Sequence, residues 1–276
     1  MSAVRQLLAA GAARLGGEDA RFEAELLLAH ALGRTRAWLF AWPEFEPDAE
    51  QRAGYQRLLD ARVRGEPIAY LTGRREFWSL DLAVTPAVLI PRAETELLVE
   101  LALARIPNQR EVAVADLGTG SGSIALALAS ERPLARVLAT DASAEALAVA
   151  RDNARRLGIA NVVFAQGDWC AALGEARFDL IVSNPPYIEV GDAHLAQGDL
   201  RFEPPAALAS GADGLDAIRR IAAEARAHLQ GDGWLLFEHG HTQGEAVRGV
   251  LLANGYGRVS TERDVEGRER VSVGRA

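Results

Sequence analysis

Asn184-Pro185-Pro186-Tyr187 follows directly on the apolar run Phe178, Leu180, Ile181 and Val182. Each residue of this tetrapeptide suits alkylation of a planar NH2 nitrogen. Such a nitrogen, in a carboxamide or an exocyclic aromatic amine, delocalises its lone pair into the adjacent π-system and is a poor nucleophile, so it must be held. The Asn184 side-chain oxygen can accept one N–H, and the Pro185 carbonyl, held by two successive fixed-φ residues, can accept the other. The Tyr187 ring can then lie against the flat conjugated group. Two acceptors at defined angles favour a pyramidalising nitrogen over the planar ground state, which is differential binding of a transition state, and no general base is strictly required. A rigid Pro-Pro turn ending a strand, with Asn184 capping its own backbone, would account for the same four residues without any chemistry.

A second motif lies upstream. Val112 to Ala115 suggests a short buried strand leading into Asp116-Leu117-Gly118-Thr119-Gly120-Ser121-Gly122-Ser123, and the apolar stretch from Ile124 onward suggests a helix. Glycines let a backbone turn sharply and approach a ligand where a Cβ would collide. A dinucleotide fingerprint wants glycine at relative positions one, three and six. Here Gly118, Gly120 and Gly122 fall at one, three and five, with Ser123 in the sixth place, which argues against a pyrophosphate cofactor. About twenty residues beyond the loop, the apolar Val137, Leu138 and Ala139 lead to Asp141, an acid suited to both hydroxyls of a ribose or, alternatively, to capping the helix from Ser143.

The elements that must position these groups follow from their order. A glycine loop after one strand, an acid after the next, Gly167-Asp168-Trp169 after a third (Val162 to Ala165) and Asn-Pro-Pro-Tyr after a fourth all sit at carboxyl strand ends. In an open α/β sheet that edge is where ligands bind.

With these residues in order, the chain resembles the class I S-adenosylmethionine-dependent methyltransferases, and within them the release-factor glutamine N5-methyltransferases. The resemblance extends over Pro67 to Gly73, Glu76-Phe77-Trp78, Val88 to Glu96, Arg201-Phe202-Glu203-Pro204, Glu238-His239-Gly240 with Gln243, and Arg263-Asp264 before Arg268 to Val271. Ala93 stands where that family usually has a second proline, which bears only on the rigidity of one helix start. The resemblance implies a doubly wound, mostly parallel α/β Rossmann-like sheet of seven strands with an antiparallel last strand. It implies S-adenosyl-L-methionine as cofactor: Gly118, Thr119, Gly120, Ser121 and Gly122 wrapping its methionine and ribose part, Asp141 on the ribose, Trp169 flanking the adenine, and Asn184 touching both cofactor and substrate. It further implies that Asn184, Pro185, Pro186 and Tyr187 grip the glutamine of the Gly-Gly-Gln tip of peptide chain release factors, with Asn184, Pro185 and Tyr187 carrying the catalysis. Arg92 and Thr95 would stand near the methionine carboxylate, unless Arg92 is simply ion-paired with Glu94 or Glu96.

Composition excludes other chemistries. All 30 basic residues are arginine, so a Schiff-base mechanism is impossible and a phosphate-loop NTPase lacks its lysine. The single cysteine, Cys170, excludes an internal disulfide and a cysteine-rich zinc site, and its place beside Trp169 suggests a bystander in a pocket wall. His239 and His241 have no third ligand candidate nearby, so no metal is expected, and Glu238 before them either lines a site rim or is buried against backbone amides. The first apolar cluster is interrupted by Arg5, Arg14 and Gly16-Gly17, so neither signal peptide nor membrane span is expected, and a monomeric cytoplasmic protein is.

Residues 3 to 64 carry helical periodicity, as in Leu7, Leu8 with Leu15 and Phe22, Leu26, Leu27 with His30. Breaks are expected at Ala41 to Glu44 and at Gly65-Glu66-Pro67. Alternation through Phe77, Leu80, Leu82 and Val84 suggests a hairpin bent at Thr85-Pro86. The expected organisation is a helical docking domain over 1–74, a β-hairpin linker over 75–90 and a methyltransferase domain over 91–276.

Two alternatives stay open: adenine-N6 methylation of DNA or RNA, whose exocyclic amine presents the same planar nitrogen, and a non-catalytic cofactor-binding protein. A net charge of −8 argues against stable nucleic-acid binding, which draws on clustered cations. Arg62, Arg64, Arg74 and Arg75 could form a local basic patch, or pair with Asp60 and Glu66. The intact loop, acid and tetrapeptide argue against a non-catalytic protein.

Overall fold

The computed structural model describes residues 3–276, which cluster into two compact units. One comprises the chain up to Arg74 together with Gln197–Phe202; the other comprises Arg75–Ala196 and Glu203–Ala276.

The first unit is built on five helices, α1 (Val4–Leu15), α2 (Ala20–Leu32), α3 (Arg36–Ala41), α4 (Ala49–Val63) and α5 (Ile68–Thr72). Helix α4 starts at a reciprocal cap, in which the Gln51 amide donates to Asp48 Oδ1 at 2.8 Å and the Asp48 amide to Gln51 Oε1 at 3.0 Å. Helix α3 stops before Pro43, whose ring and missing N–H cannot continue a helix. Val4, Leu27, Leu28, Leu39, Tyr55 and Leu59 share one core. Six residues from far along the sequence belong here too. Arg62 lies between Glu23, at 2.6 Å, and Asp199, at 3.1 Å, while Arg201 donates to the Arg64 carbonyl at 2.8 Å. The expected uninterrupted second domain therefore gives up 197–202, because the Arg62 guanidinium fixes a carboxylate on each side. Arg64 pairs with Glu66, whereas Asp60 is taken by Arg14, so pairing rather than a free basic patch holds for Arg62 and Arg64.

The second unit opens with β1 (Arg74–Phe77, its first residue the last of the helical unit) and β2 (Leu80–Ala83). Helix α6 (Glu96–Leu103), β3 (Val112–Leu117), α7 (Ser123–Glu131), β4 (Ala135–Asp141), α8 (Ala144–Leu157), β5 (Val162–Gln166) and β6 (Phe178–Ser183) follow. Then come α9 (Asp216–Ala225), β7 (Leu229–Glu238), α10 (Gly244–Ala253), β8 (Gly257–Arg263) and β9 (Glu269–Arg275). Seven strands form one sheet in the order β5-β4-β3-β6-β7-β9-β8, parallel except for β9, which runs antiparallel to both neighbours. Alternate residues face opposite sides. Val114, Leu180, Val182 and Leu236 join α6 and α7 in one core, while Ala115, Leu117, Ile181, Leu235 and Phe237 join α9 and α10 in the other.

Two local expectations change. The hairpin bends at Trp78 and Ser79, both at positive φ (52° and 58°), not at Thr85-Pro86. No glycine or asparagine announces that turn; it is held from outside, by the Trp78 amide donating to Glu96 and its indole to Glu131, each at 3.0 Å. Thr85-Pro86 instead begins a turn closed by the Val88 amide on the Thr85 carbonyl. The hairpin is also no free linker, since Phe77 and Leu82 lie in the core of the second unit. Strand β3 runs two residues beyond Ala115, because Asp116 and Leu117 continue the ladder opposite Ala139 and Thr140.

Candidate active site

The strand ends are level. Leu117 stands opposite both Thr140 of β4 and Ser183 of β6, and Asp141 opposite Gln166 of β5, so the residues that follow emerge at one height. The Ser183 hydroxyl donates to the Leu117 carbonyl at 2.7 Å, and the Gly118 and Thr119 amides both donate to the Thr140 carbonyl. Strand order reverses between β3 and β6, which opens a crevice. A cavity of about 450 Å³ lies there, and Gly118 to Ser121, Asp141, Trp169, Asn184 and Pro186 all line it, with Arg92 and Thr95 on the facing segment.

The glycine loop is tied to the acid. Asp141 Oδ2 accepts from the Gly120 amide at 2.9 Å and Oδ1 from the Ser143 amide at 2.9 Å, while the Ser143 hydroxyl, not Asp141, caps α8. Each carboxylate oxygen keeps a lone pair for a ligand. Gly118 admits the Trp169 ring, which would stand 3.1 Å from any Cβ there. Gly122 differs from its neighbours: it does not line the cavity, and a Cβ on it would press on Leu126 and Ala150 at 3.1 and 3.2 Å. Its left-handed φ of 85° lets the chain enter α7 against α8.

Beneath the loop, Asp116 is fully buried. Its Oδ2 accepts from the Thr119 hydroxyl at 2.7 Å and the Ala125 amide at 3.2 Å, and Oδ1 has no hydrogen-bond partner. Burial pushes this carboxyl up to about 7. Trp169 has φ 50°, an unfavourable left-handed backbone for an aromatic residue, at a place where its ring forms the cavity wall. Cys170 turns into the core beside Leu173 and is no part of that wall; burial raises its thiol to about 12.

The tetrapeptide divides. Asn184 and Pro186 line the cavity, whereas Pro185 is buried and the Tyr187 side chain does not reach the lining. Asn184 Nδ2 donates to Thr95 Oγ1 at 3.2 Å, and the Tyr187 hydroxyl donates to Glu238 Oε1 at 3.2 Å. Gln243 Nε2 holds the Tyr187 carbonyl at 3.0 Å. Burial and the neighbouring Glu238 raise the Tyr187 phenol, keeping it a donor. Burial likewise lifts Glu238 to about 6, although Thr95, Tyr187 and Arg270 pull the other way. His239 is buried between the Gly240 carbonyl and Ser272, and burial lowers its pKa.

Arg92 pairs with Glu203, not with Glu94 or Glu96, and Glu203 also accepts from the Ile90 amide at 3.1 Å. That carboxylate joins the segment before α6 to the one continuing through Pro204 to Ala207, and both border the cavity. Glu203 and Glu238 stand in segments that carry the family resemblance, but nothing in the sequence pointed to their partners, which are 111 and 51 positions away.

A mixed seven-stranded sheet in this order, with glycine loop, acid and Asn-Pro-Pro-Tyr at adjoining carboxyl ends, defines a Rossmann-like methyltransferase. The family described as the PrmC N-terminal domain matches residues 6–73, and that described as the methyltransferase small domain matches residues 93–201. The release factor glutamine methyltransferase of Xylella fastidiosa (strain Temecula1 / ATCC 700964) is 57% identical over 98% of this chain and 96% of its own length. That of Escherichia coli (strain K12) is 50% identical over 94% and 93%. Among solved structures, a methyltransferase from Pyrococcus furiosus shares the fold with a TM-score of 0.53 at 19% identity, over 80% of this chain and 98% of that one. The chain belongs to the release factor glutamine methyltransferase family.

Proposed function

We propose that this protein transfers a methyl group from S-adenosyl-L-methionine to the side-chain amide nitrogen, N5, of the glutamine in the Gly-Gly-Gln motif of peptide chain release factors. The cavity residues fit that cofactor: a carboxylate already oriented by two backbone amides, an aromatic wall over a glycine loop, and a volume in the range of small-molecule sites. When bound, the cofactor supplies an electrophilic methyl group. Asp141 takes the ribose hydroxyls, Trp169 flanks the adenine, and Gly118 to Ser121 wrap the rest, with Gly122 shaping the loop from behind. Arg92 and Thr95 face the methionine end, Arg92 with its charge already partly met by Glu203.

The chain's own work on the substrate is to hold a weak nucleophile. Asn184 Oδ1 accepts one N–H of the glutamine amide and the Pro185 carbonyl the other, an arrangement that strengthens as the nitrogen pyramidalises. The observation that carries this reading is the Asn184 to Thr95 hydrogen bond, which occupies Nδ2 and leaves Oδ1 for the amide. The helical unit docks the release factor; Phe40 and Trp42 are more than half exposed on it, with Phe45 beside them. The protein works as a cytoplasmic monomer with no stable hold on nucleic acid; among the described residues no helix is long and apolar enough to cross a membrane. Incubation with labelled cofactor and, separately, release factor, DNA and tRNA, followed by mass spectrometry, tests the proposal. Label on the release-factor glutamine supports it, and label on adenine alone refutes it.

A further inference from the structure

The Asn-Pro-Pro-Tyr loop does not stand by itself. Asn184 has an amide whose oxygen and nitrogen are nearly equal in size, so sterics alone do not decide which of them faces the cavity. Its neighbour Thr95 does not decide either, because a hydroxyl can donate to Oδ1 as well as accept from Nδ2. The choice falls to whatever takes the Thr95 proton.

Glu238 closes β7 at the level of the loop and is 1% exposed. Its Oε1 receives the Tyr187 hydroxyl, and its Oε2 is buried with no closed hydrogen bond. Thr95, itself only 3% exposed, lies near enough to lower the pKa of this carboxylate, and its hydroxyl proton has Oε2 as an unoccupied acceptor, without a closed hydrogen bond between them. A hydroxyl that gives its single proton to a carboxylate can only accept from Asn184. That polarity gives the observed sense, Asn184 Nδ2 to Thr95 Oγ1, and turns Oδ1 outward.

We infer that Glu238 is a positioning residue for methyl transfer: by accepting from Tyr187 and offering its unpaired Oε2 to the Thr95 hydroxyl, it anchors the loop and sets the Asn184 amide so that Oδ1 meets the substrate. This rests on the proposed grip of Asn184 on the glutamine amide. Hydrogen bonds in such a chain polarise one another, so loss of the terminal acceptor is felt at the far end. The groups facing Glu238 are Tyr187, Thr95, Arg270 and Glu94. Protonation of the carboxylate leaves Thr95 free to donate toward Asn184 and so undoes the orientation.

The test uses the full-length protein with intact release factor and compares Glu238→Gln, Thr95→Val, the double variant and Asn184→Ala. Glu238→Gln keeps the shape but offers an NH2 where Thr95 needs an acceptor. It should lower kcat by about ten- to a hundredfold, the scale of a mispositioned reacting group, with little change in cofactor Kd. Thr95→Val should lower kcat comparably, and the double variant should be no worse than the more damaged single. The wild-type kcat should fall as pH drops through about 6, and that limb should vanish in Glu238→Gln. A folded Glu238→Gln with kcat within twofold of wild type, a pH limb surviving in it, or additive losses would each overturn the inference. If Glu238→Gln does not fold, an unimpaired Thr95→Val overturns it equally. Loss in Asn184→Ala with none in Glu238→Gln defeats only the role of Glu238, whereas an active Asn184→Ala defeats the reading on which it rests.

Discussion

The Gly120 amide donates to Asp141 Oδ2 at 2.9 Å, tying the loop after β3 to the acid that ends β4. One carboxylate thus shapes the loop and lines the cavity. Asp141→Ala should weaken cofactor binding by about 1–3 kcal/mol, ten- to a hundredfold in Kd, through lost charge-assisted hydrogen bonds. Asp141→Asn, which keeps an oxygen for only one of the two amides, should fall between. Calorimetry giving a folded alanine variant an unchanged affinity would remove Asp141 from the cofactor site.

At the tetrapeptide, binding and chemistry should separate. Asn184→Ala should lower kcat by about two or more powers of ten, as loss of a preorganised polar contact does, with little change in stability. The sequence alone suggests that Tyr187 acts through its ring, which makes Tyr187→Phe mild. The hydroxyl contact with Glu238 and the ring's absence from the cavity lining reverse that expectation. Tyr187→Phe should therefore lose nearly as much kcat as Tyr187→Ala. A near-normal phenylalanine variant would return the role to the ring.

What the sequence disclosed and what it hid differ in kind. The sheet and its loaded edge were legible because chain order fixes them: Gly118, Asp141, Gly167 and Asn184 each follow an apolar run, and parallel strands bring those ends level. Glu203 with Arg92, Thr95 with Asn184 and Glu238 with Tyr187 were hidden because each pair joins residues with no local relation. Gly122 looked like its neighbours, since a glycine that yields to packing and one that yields to a ligand share a letter. The return of Gln197–Phe202 to the helical unit left no composition shift to read.

Asp116 makes a pH prediction. Its carboxyl is raised from 3.8 to about 7, so between those values the folded chain holds a proton that the unfolded chain has lost. The sign follows from linkage: stability is unaffected by this group below the window, falls as pH rises through it and levels above about 7. Asp116→Asn keeps an oxygen for Thr119 and Ala125 and removes the slope. Chemical denaturation at acidic and mildly alkaline pH should show wild type losing on the order of 4 kcal/mol more than the variant. Parallel curves for the two proteins would mean that Asp116 stays ionised in the fold.

The last prediction concerns the partner. A free glutamine or short peptide must meet the whole cost of orientation at the cavity, whereas a folded release factor can spread it over a second contact. That second contact should fall on the exposed aromatic surface of the helical unit. Trp42 is 59% exposed and Phe40 53%, and Trp42 stacks on Trp38 at 6.4 Å while Phe45 meets the same ring edge-on at 5.0 Å. Leu39, within α3, is buried and holds the helix in its core, so the outer rings can change without unfolding it. Exposed aromatics of this kind dominate protein interfaces out of proportion to their number. Replacing Phe40 and Trp42 by serine should raise KM for intact release factor by about tenfold or more, while cofactor Kd and kcat at saturating release factor stay near wild type. A short Gly-Gly-Gln peptide, which lacks the rest of the release factor, should be methylated equally slowly by both proteins. An unchanged KM for release factor would move the docking surface off these aromatics, and a raised KM for the peptide would show that the substitutions had damaged the cavity instead.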